Sequence, residues 1–129
     1  MRLWHKDLIP VLPRKQLLGQ WRECCLIAKN IREKGTPNHL LVNKIMNYPF
    51  EHFLGYCRLV ANEMKKRGYH CDENKISVCC GTYLSVKQTD LFCGWHNERY
   101  LKQCYYNLQE KYDCGGVPEE EWKTFRYLG

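Results

Sequence analysis

Apolar residues recur at spacings of three and four positions near the start of the chain, which predicts a long amphipathic helix from about Pro13 to Arg32. A helix with this pattern buries one face and leaves the opposite face polar. The Gly-Thr-Pro run at 35–37 should end the helix, because glycine and proline break regular helices. The predicted buried face consists of Leu17, Trp21, Cys24, Ala28 and Ile31, widened by Leu18 and Cys25.

Two more long helices are predicted farther along the chain. One should begin at Pro49 and end at Gly68, since proline favours the first turn of a helix and glycine the position just past its end. The other should run from about Trp95 to Tyr112. Their inward faces consist of Phe50, Phe53, Leu54, Cys57, Ala61 and Met64 in the first, and of Leu101, Cys104, Tyr105, Leu108 and Tyr112 in the second.

Shorter elements fill the remaining chain. A short helix is expected over His39–Asn47 with Asn38 as its N-cap, and Pro118 should open a final short helix. Residues 69–94 lack helical periodicity and are expected to be extended or irregular. Three main helices with short connections and no clear strand pairs predict an all-α fold, in a single domain over residues 1–129.

The polar face of the first helix carries one carboxylate beside a row of cations. With 100° of rotation per residue, Glu23 falls on the side opposite the apolar face, together with Gln16, Gln20 and Asn30. Lys15, Arg22 and Lys29 recur every seven residues and form a basic ridge that flanks Glu23.

The overall charge favours a polyanionic partner. Lys and Arg number 20 against 14 Asp and Glu, a net charge of +6. Three acids are concentrated at Glu119–Glu121, so the rest of the chain is more basic than the total. The opening residues resemble no export signal and no apolar run is long enough to cross a membrane, so we expect a cytoplasmic protein.

The cysteine content, at nine residues, leaves two interpretations open. Reduced thiols can serve as small core residues in a cytosolic protein. Alternatively, Cys93 and His96 have the spacing of metal ligands, and Cys71 and the pair Cys79-Cys80 lie upstream. Such a zinc site would be structural and would suit a non-catalytic nucleic-acid-binding module.

The segment Leu12–Glu23, a leucine-rich turn followed by Trp-Arg-Glu, resembles the start of the first helix in the pyrimidine-dimer DNA glycosylases, the phage-type endonuclease V enzymes. The Lys-Lys-Arg-Gly-Tyr sequence at 65–69 is similar to the end of that family's middle helix. The segment Trp122–Tyr127 is similar in composition to the aromatic and basic tail that these enzymes lay against DNA.

This resemblance implies a base-excision repair glycosylase with coupled abasic-site lyase activity, a reaction that needs no metal cofactor. In the family the N-terminal α-amine is the nucleophile and the glutamate its acid/base partner. Here those roles fall to Met1 and Glu23, because a bulky second residue, Arg2, normally prevents removal of the initiator methionine. An enzyme of the same chemistry with another target, such as a modified base or only abasic sites, remains an alternative.

The resemblance and the charge pattern together imply a DNA-binding surface. The expected partner is double-stranded DNA, kinked and with one nucleotide extrahelical, because C1′ of the sugar is otherwise out of reach. We expect the protein to act as a monomer. The expected DNA-binding residues are Arg2, Lys15, Arg22, Lys29, Trp122, Lys123, Arg126 and Tyr127.

Overall fold

The computed structural model describes residues 1–76 and 90–125, and all regular secondary structure within these ranges is helical. The prediction of an all-α fold is therefore confirmed. The elements are a 3-10 helix at Lys6–Val11, α1 at Arg14–Lys34, a 3-10 helix at Asn43–Asn47, α2 at Phe50–Lys66, α3 at Glu98–Asp113 and α4 at Glu119–Phe125.

Helix α1 has the predicted position and packs mainly against α2. It ends at Gly35, which adopts the left-handed conformation with φ 74° and donates its N–H to the carbonyl of Ile31 at 2.9 Å. A residue with a Cβ would be strained in this conformation, which explains the glycine. The predicted apolar face is buried at Leu17, Trp21, Cys24 and Ala28.

Helix α2 supplies much of the core and also has nearly the predicted bounds. Phe53, Cys57, Val60 and Ala61 are fully buried. Tyr56 is fully buried as well, which places a phenol hydroxyl inside the protein. A buried hydroxyl needs a hydrogen-bond partner, and the partner of this one lies in the segment that precedes the first 3-10 helix.

Two predicted helix boundaries are wrong. Over His39–Asn47, only the part from Asn43 onward is helical, and Asn38 is no N-cap because its φ of 60° places it in a left-handed turn. Helix α3 begins three residues later than predicted. Asn97 caps it through a side-chain oxygen that accepts the N–H of Tyr100 at 2.9 Å, so Trp95 belongs to the preceding turn.

The first 3-10 helix, Lys6–Val11, is too short to be read from periodicity and was not predicted. Arg67, at the end of α2, fastens it in place. Its guanidinium pairs with Glu63 and donates to the carbonyls of Leu12 and Pro10, at 2.8 and 3.1 Å. These bonds satisfy carbonyls that a short helix leaves without intrahelical partners.

The structure also bears on the cysteines and on the irregular stretch. Cys24, Cys57 and Cys104 are fully buried, as expected of thiols that serve as small core residues. Of the stretch predicted to be extended or irregular, residues 74–76 are helical instead, and residues 77–89 lie outside the described ranges. Within those ranges, none of the helices combines the length and the apolarity that a bilayer crossing requires.

Candidate active site

The N-terminal segment, residues 1–5, has no regular secondary structure, yet side chains of α1 hold its backbone. Gln20 Oε1 accepts the N–H of Trp4 at 2.7 Å, and Gln20 Nε2 donates to the carbonyl of Arg2 at 3.0 Å. Gln20, predicted to lie on the polar face of α1 opposite the core, is therefore buried, with only 1% of it exposed. The N-terminal segment covers a face of α1 that periodicity alone marks as polar.

Two tyrosines hold the same backbone from other helices. The hydroxyl of Tyr56, on α2, donates to the carbonyl of Trp4 at 2.5 Å, and that of Tyr100, on α3, donates to the carbonyl of Leu3 at 2.5 Å. Burial raises the pKa of both phenols, so both stay protonated and able to donate. Side chains from three helices thus fix the backbone over Arg2–Trp4.

Glu23 lies one helical turn beyond Gln20 and faces the start of the N-terminal segment. Its Oε2 accepts the backbone N–H of Arg2 at 3.4 Å and lies 3.5 Å from Gln20 Nε2. Peptide geometry keeps the nitrogens of adjacent residues within about 3.8 Å of each other, so the Met1 amine lies within about 7 Å of this carboxylate oxygen. The structure therefore brings the two predicted catalytic groups into one neighbourhood.

A cleft of about 480 Å³, here called the amino-terminal cleft, opens beside this neighbourhood. Arg2 and Lys44 give it two cations, and no carboxylate lies among its lining residues in the described part of the chain. The Arg2 guanidinium also lies over the Trp4 ring, 5.6 Å from its centre. Such a cleft suits an anionic ligand. Its full lining is Arg2, Leu40, Leu41, Lys44, Trp95, Tyr100, Gln103, Tyr106 and Asn107.

A family model described as pyrimidine dimer DNA glycosylase matches residues 1–77, which is more than half of the chain. The chain belongs to the pyrimidine dimer DNA glycosylase family. No curated protein and no solved structure matches it. Membership implies a role in DNA repair and DNA as the partner.

The matched region of this glycosylase-family protein contains most of the site. Gln20, Glu23 and Tyr56 lie within residues 1–77 together with the N-terminal segment. Tyr100 lies beyond the match, although its hydroxyl bonds the carbonyl of Leu3. The site is thus completed by a helix that the family match does not include.

The predicted basic ridge is exposed on α1, but its surroundings differ along its length. Lys15 and Arg22 line a cleft of about 900 Å³ together with the acidic run Glu119–Glu121. Glu121 also accepts the backbone N–H of Arg14 at 2.9 Å. Lys29 lines a separate cleft of about 530 Å³. Of the three ridge cations, Lys29 therefore lies outside the cleft that contains the acidic run.

The predicted C-terminal DNA contacts have mixed outcomes. Trp122 is only 5% exposed and stacks on Tyr112, with ring centres 4.7 Å apart. Trp122 was expected to contact DNA, but its indole instead closes the core between α3 and α4. Lys123 is exposed on α4, and Arg126 and Tyr127 lie outside the described residues.

The candidate zinc ligands do not form a site in the described ranges. His96 is buried and its Nδ1 accepts a backbone N–H from the first 3-10 helix at 3.0 Å, whereas Cys93 is exposed. Burial raises the pKa of Cys71 to about 11, which disfavours the thiolate that a metal needs. Cys79 and Cys80 lie outside the described residues. Across 1–76 and 90–125, no three His, Cys, Asp or Glu side chains converge where a metal could bind.

His96 is a core histidine rather than a proton-transfer group. Burial lowers its pKa to about 2, and the charges of His5 and Lys6 act in the same direction. Because Nδ1 accepts a hydrogen bond, Nε2 carries the proton, and this buried atom has no partner among the described residues. The imidazole therefore stays neutral, within 5.0 Å of the Tyr100 ring.

Sequence reasoning did not identify the three side chains that fix the N-terminal segment, namely Gln20, Tyr56 and Tyr100. Tyr56 gave a signal, because it interrupts the apolar face of α2 with a polar group. Gln20 gave a weaker one, since it lies one turn before Glu23 on the same side of α1. Tyr100 gave none, because its partner is a backbone carbonyl 97 positions away.

Proposed function

We propose that this protein is a DNA repair glycosylase with coupled abasic-site lyase activity, in which the α-amine of Met1 supplies the nucleophile. The observation that carries the proposal is the carboxylate of Glu23, bonded to the backbone N–H of Arg2. A carboxylate at that position lies within about 7 Å of the amine one residue earlier.

The reaction begins with attack of the amine nitrogen on C1′ of the damaged nucleotide. The bond between C1′ and the base breaks, and the base leaves with the bonding electron pair and takes up a proton from solvent. The C1′–O4′ bond of the resulting aminal then breaks, one proton of the amine passes to O4′, and the opened sugar remains linked to the enzyme as an iminium. Loss of a proton from C2′ then expels the 3′ phosphate by β-elimination. Water finally hydrolyses the imine and releases the free amine.

Glu23 has two roles in this scheme. Its negative charge stabilises the cationic iminium, and its oxygens can accept and return protons at the sugar. Its position is supported by Gln20 Nε2, which lies 3.5 Å from Oε2. A half-buried carboxylate held in this way needs little reorganisation during the reaction.

The hydrogen bonds that hold the N-terminal segment in place support the proposal that its α-amine is the nucleophile. A chain terminus is ordinarily mobile, and a mobile nucleophile loses the rate advantage of a fixed geometry. Here Gln20, Tyr56 and Tyr100 bond four backbone groups between Arg2 and Trp4. In general α-amines also titrate well below lysine side chains, so a larger fraction is neutral and nucleophilic at cellular pH.

DNA binding is assigned to the cations around the site. Arg2 and Lys44 would hold phosphates at the amino-terminal cleft, and Lys29 would hold a phosphate farther along α1. The duplex would be kinked with one nucleotide extrahelical, since the amine must reach C1′. The sequence similarity to pyrimidine dimer DNA glycosylases supports a pyrimidine dimer as the lesion.

Borohydride trapping tests the proposal directly. The protein is incubated with a duplex that contains one abasic site, and separately with UV-irradiated duplex, in the presence of borohydride. We expect a covalent adduct on both, with the mass shift on the N-terminal peptide. The matched control is the N-acetylated protein, which should bind DNA and form no adduct.

Two outcomes would contradict the proposal. An adduct on a lysine would remove the α-amine from the mechanism. Absence of any adduct, with DNA binding intact, would favour a non-catalytic binding protein. Adducts on abasic but not on irradiated duplex would retain the lyase reaction and exclude the dimer as substrate.

A further inference from the structure

A tight turn beside the amino-terminal cleft exposes two neighbouring leucines. Leu40 is 88% exposed and Leu41 is 52% exposed. A leucine side chain gains roughly 1.5–3 kcal/mol when it is buried, so two exposed leucines side by side would gain free energy from burial against a partner. Contiguous exposed apolar groups of this kind often mark a binding surface.

The turn is rigid, which distinguishes it from a flexible loop tip. The carbonyl of His39 accepts the N–H groups of Val42 and Asn43, at 3.1 and 2.9 Å. In return Asn43 Oδ1 accepts the N–H of His39 at 3.1 Å, and His39 Nδ1 accepts that of Leu41 at 3.3 Å. Val42 is fully buried and anchors the turn. The leucines are therefore held outward by structure on both sides of them.

The position of the turn relates it to the proposed chemistry. Leu40 and Leu41 line the same cleft as Arg2, whose backbone N–H bonds the Glu23 carboxylate. Lys44, two residues after the buried anchor, adds a second cation to that lining. An apolar projection flanked by cations complements a duplex, whose base stack is apolar and whose backbone is anionic.

We propose that Leu40, supported by Leu41, is a wedge that enters the base stack of double-stranded DNA. The role rests on the proposed function, because an amine that attacks C1′ must reach a nucleotide displaced from the stack. Unstacking a base step costs a few kcal/mol, and an apolar side chain that fills the gap offsets part of this cost. Transfer of Leu40 from water into the stack supplies the offset.

The exposed leucines could instead bind a second copy of the chain. A two-fold dimer through this surface would bring Arg2 and Lys44 of both copies together. The described lining of the cleft offers no carboxylate to compensate those charges, and like charges across an interface disfavour it. The charge pattern therefore favours DNA over self-association.

The test uses a duplex with one abasic site and 2-aminopurine at the neighbouring position, since this base fluoresces more strongly when it is unstacked. The variants are Leu40→Ser and, as a control, Met46→Ser, which alters an apolar residue that is 49% exposed on the second 3-10 helix and does not line the cleft. We expect saturating wild type and Met46→Ser to raise the fluorescence alike. Leu40→Ser should give a much smaller rise and bind this duplex about tenfold more weakly.

Affinity for undamaged duplex should be unchanged in both variants, because phosphate contacts dominate that binding. Wild-type fluorescence from Leu40→Ser would overturn the wedge. So would a wild-type dimer in sedimentation that Leu40→Ser dissociates, since this would assign the turn to self-association.

Borohydride trapping on the same duplex separates this proposal from the proposed function. Unstacking without an adduct would overturn the amine chemistry and support the wedge. An adduct that forms without unstacking would overturn the wedge alone.

Discussion

The side-chain amide of Gln20 joins the backbone of Trp4 across 16 positions of sequence, with 2.7 Å between Oε1 and the amide nitrogen. The same amide donates to the carbonyl of Arg2. A single buried glutamine thus holds both ends of a three-residue stretch that leads to the chain terminus. It occupies the place that a neighbouring strand would take in a sheet.

Replacing Gln20 by Leu should therefore damage both stability and cleavage. The change leaves the buried N–H of Trp4 without a partner, which costs about 1–3 kcal/mol, and it also removes the bond to the partly buried carbonyl of Arg2. Single-turnover strand cleavage should fall on the order of 10²-fold, because the amine is no longer fixed relative to Glu23. Gln109→Leu, at an exposed position on α3, is the control. Equal cleavage by the two variants, measured on folded protein, would show that Gln20 does not position the amine.

Replacing Tyr100 by Phe should slow the chemical step with little effect on binding. The ring remains, but the carbonyl of Leu3 loses the hydroxyl that bonds it at 2.5 Å. We expect stability to fall by about 1 kcal/mol and single-turnover cleavage of an abasic duplex to fall about tenfold. The dissociation constant for the same abasic duplex should be unchanged. Gln109→Leu, at an exposed position of the same helix outside the cleft, should leave stability, cleavage and binding unchanged.

Glu23→Gln should separate binding from chemistry. Glutamine can still accept the N–H of Arg2, but it carries no charge and accepts no proton. Loss of a positioned general acid/base typically lowers a rate by ~10²–10⁴, and the melting temperature should move little. Affinity for damaged duplex should persist or rise, because an anion near a polyanion is removed. Glu33→Gln, on the exposed surface of the same helix, serves as the control. If both variants cleave at the wild-type rate, Glu23 has no catalytic role.

Lys29→Ala should weaken binding equally for damaged and undamaged DNA. A lysine that contacts one phosphate contributes about one unit to the slope of log affinity against log salt. The slope should therefore become shallower by that amount, as measured by titration at several salt concentrations. Lys66→Ala, at the exposed end of α2, is the comparison. A loss confined to damaged DNA with an unchanged slope would contradict a phosphate contact at Lys29.

The buried His96 predicts how stability depends on pH. Its pKa is about 2 in the folded protein and near its ordinary value of 6.5 when unfolded. Between these values the unfolded state binds the extra proton, so stability is complete above pH 6.5 and falls as the pH decreases. The slope contributed by this group is up to about 1.4 kcal/mol per pH unit. Burial lowers the pKa of His5 as well, which acts in the same direction.

Denaturant titrations at several pH values can isolate this contribution. His96→Asn keeps an acceptor near the position of Nδ1 and removes the titrating ring. The variant should show a shallower loss of stability between pH 6.5 and pH 4, since that group no longer takes up a proton on unfolding. An unchanged slope would mean that other groups carry the acid sensitivity.

Periodicity predicted the long helices well, because their faces differ in polarity over many turns. The apolar face of α1 and the capping by glycine at Gly35 both follow from local sequence. Glu23 was predicted as a catalytic residue because the segment Leu12–Glu23 resembles the glycosylase family and because Glu23 lies beside cations on α1. These features depend on residues that are close together in the chain.

The features that were missed depend on contacts between distant residues. Periodicity placed Gln20 on the polar face of α1, because a local pattern does not show that the N-terminal segment covers that face. Trp122 was expected to contact DNA because of the aromatic and basic composition of its segment, but it stacks on the ring of Tyr112. The early start predicted for α3 overlooked Asn97, whose side chain caps the helix. In each case the burial of the side chain or the start of the helix depends on a tertiary contact or a capping hydrogen bond that periodicity does not show.

The bonds from Tyr100 to Leu3 and from the backbone of Lys6 to His96 span 97 and 90 positions. Contacts of such separation close late in folding, because they require ordering of a long intervening chain. During translation the residues of the N-terminal segment are made first, yet α3 reaches them only after most of the chain has left the ribosome. Fragments that stop short of α3 would carry the amine and Glu23 without the hydroxyl that helps to align them. Incomplete translation products should therefore cleave an abasic duplex no faster than Tyr100→Phe, so that the full rate requires synthesis to have passed α3.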